Sequence, residues 1–373
     1  ITTKEGTLTV NPVETEVKVK ITGHQDSVTY DGEKHTVTGY DVTEISNTLY
    51  TANDFTFSGK AEAAGTDAAT YPMGLKTSQF KNKNANFTNV TFEVVDGSLT
   101  INPRNVTLTS ATDSKAYDGD PLTNKKVTES KGTDEGFVKG EGASYDVTGT
   151  QTAVGSSKNK FDYKLNDGTK VGNYTITKVE GTLVVTPQSI TPDPDPENPD
   201  SYKGITINDP SDHVYDGQEH KWSPTVKDAD DKALTEGRDY TVSYKYGTED
   251  KNFKDVQTIT VTITGQGNYK GTVTKTYKIT KRKVKLTSAS DQKVYDGQPL
   301  TNKNVTASTG KNEGFVNGEG ATYDVTGSQT TVGSSANKFT YTLNANTKAA
   351  NYEITTEEGI LTVISCLLYT SDA

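Results

Sequence analysis

Residues 116–128 read AYDGDPLTNKKVT and residues 294–306 read VYDGQPLTNKNVT. These two stretches open segments that align without a gap, Arg104 to Val185 against Arg282 to Val363, at a constant offset of 178 (282 − 104), with about two thirds of positions identical. The agreement continues through EGFVKGEGASYDVTG and EGFVNGEGATYDVTG, VGSSKNKF and VGSSANKF, and NYTITKVEGTLVV and NYEITTEEGILTV. Tyr-Asp-Gly occurs twice more, so the four copies start at Tyr30, Tyr117, Tyr215 and Tyr295, at intervals of 87, 98 and 80 residues (117 − 30, 215 − 117, 295 − 215). Intervals of that size are those of whole small domains, not of solenoid units. The first copy follows the pattern loosely. The third shares the opening VYDG and then diverges, through GRDYTVSYKYG to ITGQGNYKGTVTKTYKIT.

Alternation sets the secondary structure. Thr7-Leu8-Thr9-Val10, Val17-Lys18-Val19-Lys20-Ile21, Tyr240-Thr241-Val242-Ser243-Tyr244, Ile259-Thr260-Val261-Thr262-Ile263 and Val284-Lys285-Leu286-Thr287 keep the period of two that marks half-buried strands. Thr, Val and Tyr fill them, side chains that suit a pleated surface with one wet face. No window holds the three-and-four spacing of an amphipathic helix. The chain is therefore expected to be all-β, a tandem array of small β-sandwich domains, immunoglobulin-like (Greek-key) or grasp-like, arranged as beads on a string.

Within that frame Tyr-Asp-Gly predicts a tight hairpin turn, with Gly at positive φ, the Tyr ring on the core and its hydroxyl at the edge. A second recurring signature, EGTLTVNP at 5–12, DGSLTINP at 96–103, EGTLVVTP at 180–187 and EGILTV at 358–363, predicts an acidic-Gly turn into a last strand, which Pro then terminates. The expected division is 1–11 as the last strand of a preceding truncated repeat, 12–103 as repeat 1, 104–187 as repeat 2, 188–200 as a linker, 201–281 as a divergent immunoglobulin-like repeat 3, 282–364 as repeat 4, and 365–373 as a non-native tail. In the linker, PDPDPENPD (192–200) favours extended polyproline geometry with mutually repelling carboxylates. The same Pro spacing holds Asp193, Asp195 and Glu197 apart and works against a calcium loop. The tail SCLLYTSDA resembles translated adapter sequence from library preparation, and with no signal peptide in view the chain reads as an internal piece of a longer array.

Composition narrows the function classes. A hydrophobic fraction of 31% gives thin cores that lean on the 20 Tyr, and the net charge of −10 disfavours nucleic acid and anionic membrane surfaces. No stretch approaches the ~20 apolar residues of a membrane span. With a single Cys, Cys366, intrachain disulfides are excluded.

Catalytic and metal patterns are absent from the sequence. The histidines His24, His35, His213 and His220 have no metal-ligand spacing, no Ser sits in a Gly-x-Ser-x-Gly elbow, and GQGNYKG has the wrong spacing for a dinucleotide loop. Asp31, Asp118, Asp216 and Asp296 recur without a companion cluster, which is what turn chemistry alone requires. Asp228, Asp230 and Asp231 read as a solvated hairpin tip. A Lys–Asn amide crosslink would need Lys115 or Lys293 to meet Asn173 or Asn351; the competing reading has Lys as an edge charge and Asn as a turn residue. No catalytic, cofactor-binding or metal residues are assigned, and no cofactor is expected.

The Tyr-Asp-Gly opening, the Asn-Tyr at Asn173 and Asn351, and the closing Gly-x-Leu-x-Val strand together resemble the YDG and MBG repeat families of bacterial surface and adhesin-like proteins. Repeat 3, with Gly267 to Gly271, is similar to bacterial immunoglobulin-like modules. The resemblance implies a monomeric, non-enzymatic, extracellular stalk of Gram-positive type. It would attach to the cell wall through a missing C-terminal region and carry a distal domain. Two alternatives remain: an array that binds host glycan or protein through Trp222, Tyr240, Tyr244 and Tyr246 of repeat 3, or an accessory region of a secreted glycosidase.

Overall fold

A computed structural model of the chain describes residues 1–191 and 204–365. Strands dominate it, and the described helices are single 3₁₀ turns such as Ala52–Asp54 and Val171–Asn173. The expected all-β class holds. No described helix is long and apolar enough to cross a membrane. The chain divides into two compact units, Ile1–Thr186 and Pro187–Ala373. All of PDPDPENPD, including the calcium candidates Asp193, Asp195 and Glu197, and the tail from residue 366 lie outside the described residues.

The alternating stretches at Val17–Gly23, Tyr240–Tyr246, Gln257–Gly265 and Arg282–Ser288 are strands with every second residue turned inward. Thr7–Val10 is the exception. It forms no strand, and Leu8 and Val10 are exposed. In the other repeats the corresponding strand pairs on both sides, and no described strand flanks this copy. Residues 188–190, placed in the linker by the sequence, instead belong to the second unit: Gln188–Ser189 pairs in parallel with Tyr269–Lys270, and Ile190 is fully buried.

Repeats 2 and 4 share one plan. In repeat 2 the first strand, Arg104–Ser110, lies parallel to Tyr174–Val179, and both chains then cross into a second sheet where Asp113–Ala116 lies parallel to Gly181–Thr186. Repeat 4 reproduces this with Arg282–Ser288, Tyr352–Glu357, Asp291–Val294 and Gly359–Ile364. Repeat 1 does the same with Val17–Gly23 against Val90–Val95 and Gln25–Thr29 against Ser98–Asn102. Parallel pairing of first and last strands is not a Greek-key arrangement, which is antiparallel throughout. Repeat 3 is an antiparallel three-strand meander, Tyr240–Tyr246, Gln257–Gly265 and Thr272–Thr280, with His213–Val214 added in parallel at its edge.

The two strands cross where the acidic-Gly signature falls, and this corrects its reading as a turn. Gly97, Gly181 and Gly359 do not have positive φ. They are glycine because the crossing backbones touch: a Cβ on Gly181 would lie 2.4 Å from Ala111 O, and one on Gly359 would lie 2.4 Å from Ser288 O. The crossing is fastened by a buried hydroxyl. Ser110 Oγ donates to Asn159 O (2.6 Å) and accepts from Gly181 N (3.0 Å), and Ser288 does the same with Asn337 and Gly359 (2.6 and 2.9 Å).

The Tyr-Asp-Gly element is a turn but not the hairpin that the sequence predicts. In each copy the Asp carboxylate accepts the amide two residues on, from Glu33, Asp120, Gln218 and Gln298 at 2.8 to 3.0 Å, and Gly32, Gly119, Gly217 and Gly297 all have positive φ. The strand before it, however, pairs in parallel with the last strand of the repeat. The Tyr amide closes that ladder by donating to Asn102, Thr186, Thr280 and Ile364 O respectively.

Because the crossing glycines meet backbone oxygen, Gly359→Ala is expected to destabilise the second unit by about 1–3 kcal/mol or more, the usual range for overpacking. Gly172, with open space around it, serves as the control. Thermal melts of the two Ala variants should separate clearly, with Gly172→Ala close to the parent.

Candidate functional site: the joints between repeats

The tyrosine of the first Tyr-Asp-Gly does not point into the core of its own repeat alone. Tyr30 is 4% exposed and packs edge-on against Tyr174 of repeat 2, with ring centroids 5.5 Å apart and planes at 84°. Its hydroxyl donates to Glu141 Oε1 at 2.6 Å. Beside the ring, Asn173 reaches back across the joint. Its carbonyl accepts from Ala68 N (2.8 Å), its amide donates to Asp67 Oδ1 (3.0 Å), and Lys170 Nζ pairs with Asp67 Oδ2 (2.7 Å). Continuous packing from Leu99 and Ile101 to Val106 and Leu108 carries one core through both repeats.

The second unit repeats this joint almost atom for atom, although its leading half is the divergent repeat 3. Tyr215, 2% exposed, packs on Tyr352 at 5.5 Å and 83°, and its hydroxyl donates to Glu319 Oε1 at 2.5 Å, while Tyr352 donates to the other carboxylate oxygen at 2.7 Å. Asn351 accepts from Val256 N (3.0 Å) and donates to Asp255 Oδ1 (2.8 Å), and Lys348 pairs with Asp255 Oδ2 (2.7 Å). Each joint is thus a tyrosine plug from the leading repeat seated in a socket of the following one.

The electrostatics follow from the burial. Tyr30 and Tyr215 are pushed up to about 12, first by burial and then by the carboxylate each one faces. Tyr174 and Tyr352 rise for the same leading reason. Asp67 is held below the usual carboxylate range by Asn173 and then Lys170. For Asp255 burial is the largest influence and acts upward, but Lys348, Asn351 and Asn252 together outweigh it and hold the group low. The lysines are 66% and 56% exposed, so their ion pairs contribute modestly. The buried hydroxyl-to-carboxylate bonds, in the range of about 1.5–3 kcal/mol for charged partners, are the stronger fastening.

The residues singled out from sequence are dispersed. Asp31 and Asp216 hold His35 and His220 (2.9 and 2.8 Å) within their turns, and Asp118 and Asp296 pair with Lys115 and Lys293 (2.7 Å each). Lys115 and Lys293 are therefore engaged in their own turns, while Asn173 and Asn351 serve the joints, and the crosslink pairs are not brought together. His213 stacks on His220 and His24 binds Thr38 O. Among the described residues no group of three His, Cys, Asp or Glu could hold a metal ion. Asp228 caps a hairpin tip, accepting from Asp230 N and Lys232 N. In repeat 3, Trp222 packs on the core of the second unit, Tyr240 is buried, and Tyr244 donates to Trp222 O.

Sequence reasoning missed the partners of the plug. Glu141 and Glu319 stand in GEG strings conserved between repeats 2 and 4, a signal that was visible but unassigned. Asp67 and Asp255 share no motif beyond a following small apolar residue, and only strand register equates them: Ala69 faces Ile101 as Gln257 faces Ile279.

A tyrosine whose folded value lies above its unfolded value of about 10 stabilises the fold fully below pH 10 and loses that contribution as pH rises to about 12. Melting temperature should therefore fall between pH 10 and 12, and less steeply in a Tyr30→Phe/Tyr215→Phe double variant. At neutral pH the same variant, which removes a buried hydroxyl donor from Glu141 and Glu319, should cost about 1–3 kcal/mol per joint. Equal alkaline slopes for parent and variant would contradict the assignment.

No curated protein gives a match to the chain. Residues 17–103, within the first repeat and including its plug Tyr30, match the MBG domain.

Proposed function

We propose that the chain is a spacer region of an extracellular bacterial surface protein, one that holds a distal domain away from the cell wall. The observation that supports this is the parallel pairing of first and last strands in repeats 1, 2 and 4. Parallel terminal strands bring the chain in at one end of a repeat and out at the other, so repeats connect in series. A pull on the chain would shear the Arg104–Tyr174 ladder along its length, loading its hydrogen bonds together. The plug-and-socket joints add stiffness where a string would otherwise bend. Adhesin character, wall attachment and monomeric state belong to the same proposal.

Four repeats in series should reach about 150 Å at ~3.3 Å per strand residue. A rod of that length has a radius of gyration near ~40 Å, against about 21 Å for a compact globule of this size. Small-angle scattering decides between them, and a value near the globular one would remove the spacer reading.

For a glycan- or protein-binding role of repeat 3, the aromatic side chains would have to offer open faces. Trp222 instead packs inward, with its indole nitrogen buried. Its fluorescence is expected to be blue-shifted and weakly quenched by acrylamide in the folded protein. Quenching as efficient as in the unfolded chain would transfer support from the spacer to the binding array.

A further inference from the structure

Repeat 4 carries the corresponding tyrosine, Tyr295, and among the described residues no socket encloses it. Tyr295 is 50% exposed, against 4% and 2% for Tyr30 and Tyr215, although its backbone is held in the same way, with its amide on Ile364 O at 2.9 Å and the Asp296 turn intact. Register extends the comparison. Val363 faces Gly333 as Ile101 faces Ala69 and Ile279 faces Gln257, so Val332 occupies the place of Ala68 and Val256, whose amides are clamped by the socket asparagine. Val332 is 56% exposed. At the seated plugs Gly32 and Gly217 abut Val138 and Val316 of the socket, where an added Cβ would come within 3.0 and 2.8 Å; around Gly297 the space is open.

We propose that the face formed by Tyr295, Val332, Val294 and Ile364 is a docking surface for a further repeat that carries the socket found in repeats 2 and 4. That occupant presents a tyrosine for edge-on packing, a glutamate to accept the Tyr295 hydroxyl, and an asparagine to accept the Val332 amide. The identification rests on the joints at Tyr30 and Tyr215, where the corresponding face is covered by this chemistry. It stands independently of the spacer reading. One feature differs. Where the seated plugs have Asp67 and Asp255, repeat 4 has Thr331, so the socket asparagine and lysine lose their carboxylate and this joint is the weaker of its kind.

The test extends the full chain. A copy of residues 282–364 is joined after Ser365 in place of 366–373, which reproduces the single residue, Lys281, that separates Thr280 from Arg282. Hydrogen exchange then reads the Val332 amide. Docking is expected to slow its exchange at least tenfold relative to the unextended chain. Tyr295→Ala should reverse the protection in the extended chain while leaving the melting temperature of the unextended chain within about a degree, as for an exposed side chain. Thr331→Asp should increase the protection. Unchanged exchange at Val332 beside a copy whose own core amides are protected would overturn the proposal. A copy that stays unprotected would overturn it too, since this same repeat folds behind Tyr215.

Discussion

The arrangement depends on a tyrosine that leaves its own repeat. Tyr30 and Tyr215 each place a phenol between two repeats, where a second tyrosine takes one edge and a glutamate takes the hydroxyl. A buried aromatic pair in this geometry contributes about 0.5–1.5 kcal/mol beyond the area it removes from water. The carboxylate makes the site demanding as well as stable, because a half-buried charge without its donor is costly. Such a joint tolerates one orientation of the following repeat and penalises others. The two ring-plane angles, 84° and 83°, show how closely it is reproduced.

That reproduction is informative because the leading repeats are unlike one another. Repeat 1 builds its plug on a Gln25–Thr29 strand with additional hairpins, and repeat 3 on an antiparallel meander. What they share is the end of the domain: the strand into Tyr-Asp-Gly, parallel to the last strand, with an Asp and a small apolar residue one strand over. The sequence constraint common to all four copies is therefore a constraint on the end of the repeat, which explains why a tripeptide persists where the body of repeat 3 has diverged.

Much of the fold was legible because alternation reports which face of a strand is wet, and the gap-free match of repeats 2 and 4 reports period. Pairing was not. Asp-Gly announces positive φ at Gly but is silent on which strands flank it, and here the partner of Gln25–Thr29 lies 73 residues away (98 − 25). The glycine of the closing signature was likewise visible, but turn and close approach favour the same residue, and only the crossing at Ser110 separates the two explanations. The joint was the least legible part, since its residues come from two repeats. Asn173 was singled out as a turn residue, and its side chain instead spans to Asp67, 106 positions earlier.

Series connection and seated joints draw on different features of the chain, and each can vary without the other. Parallel terminal strands give every repeat of this plan an entrance and an exit at opposite ends, whatever its neighbours. The plug and socket act only between neighbours, and their strength is set by a few positions: the carboxylate under the hydroxyl, and the acid that meets the socket asparagine. Asp67 and Asp255 complete that second contact, while the equivalent position in repeat 4 is threonine. The strength of each such joint is thus adjustable through single side chains at the repeat ends, with the cores that keep each repeat folded left unaltered.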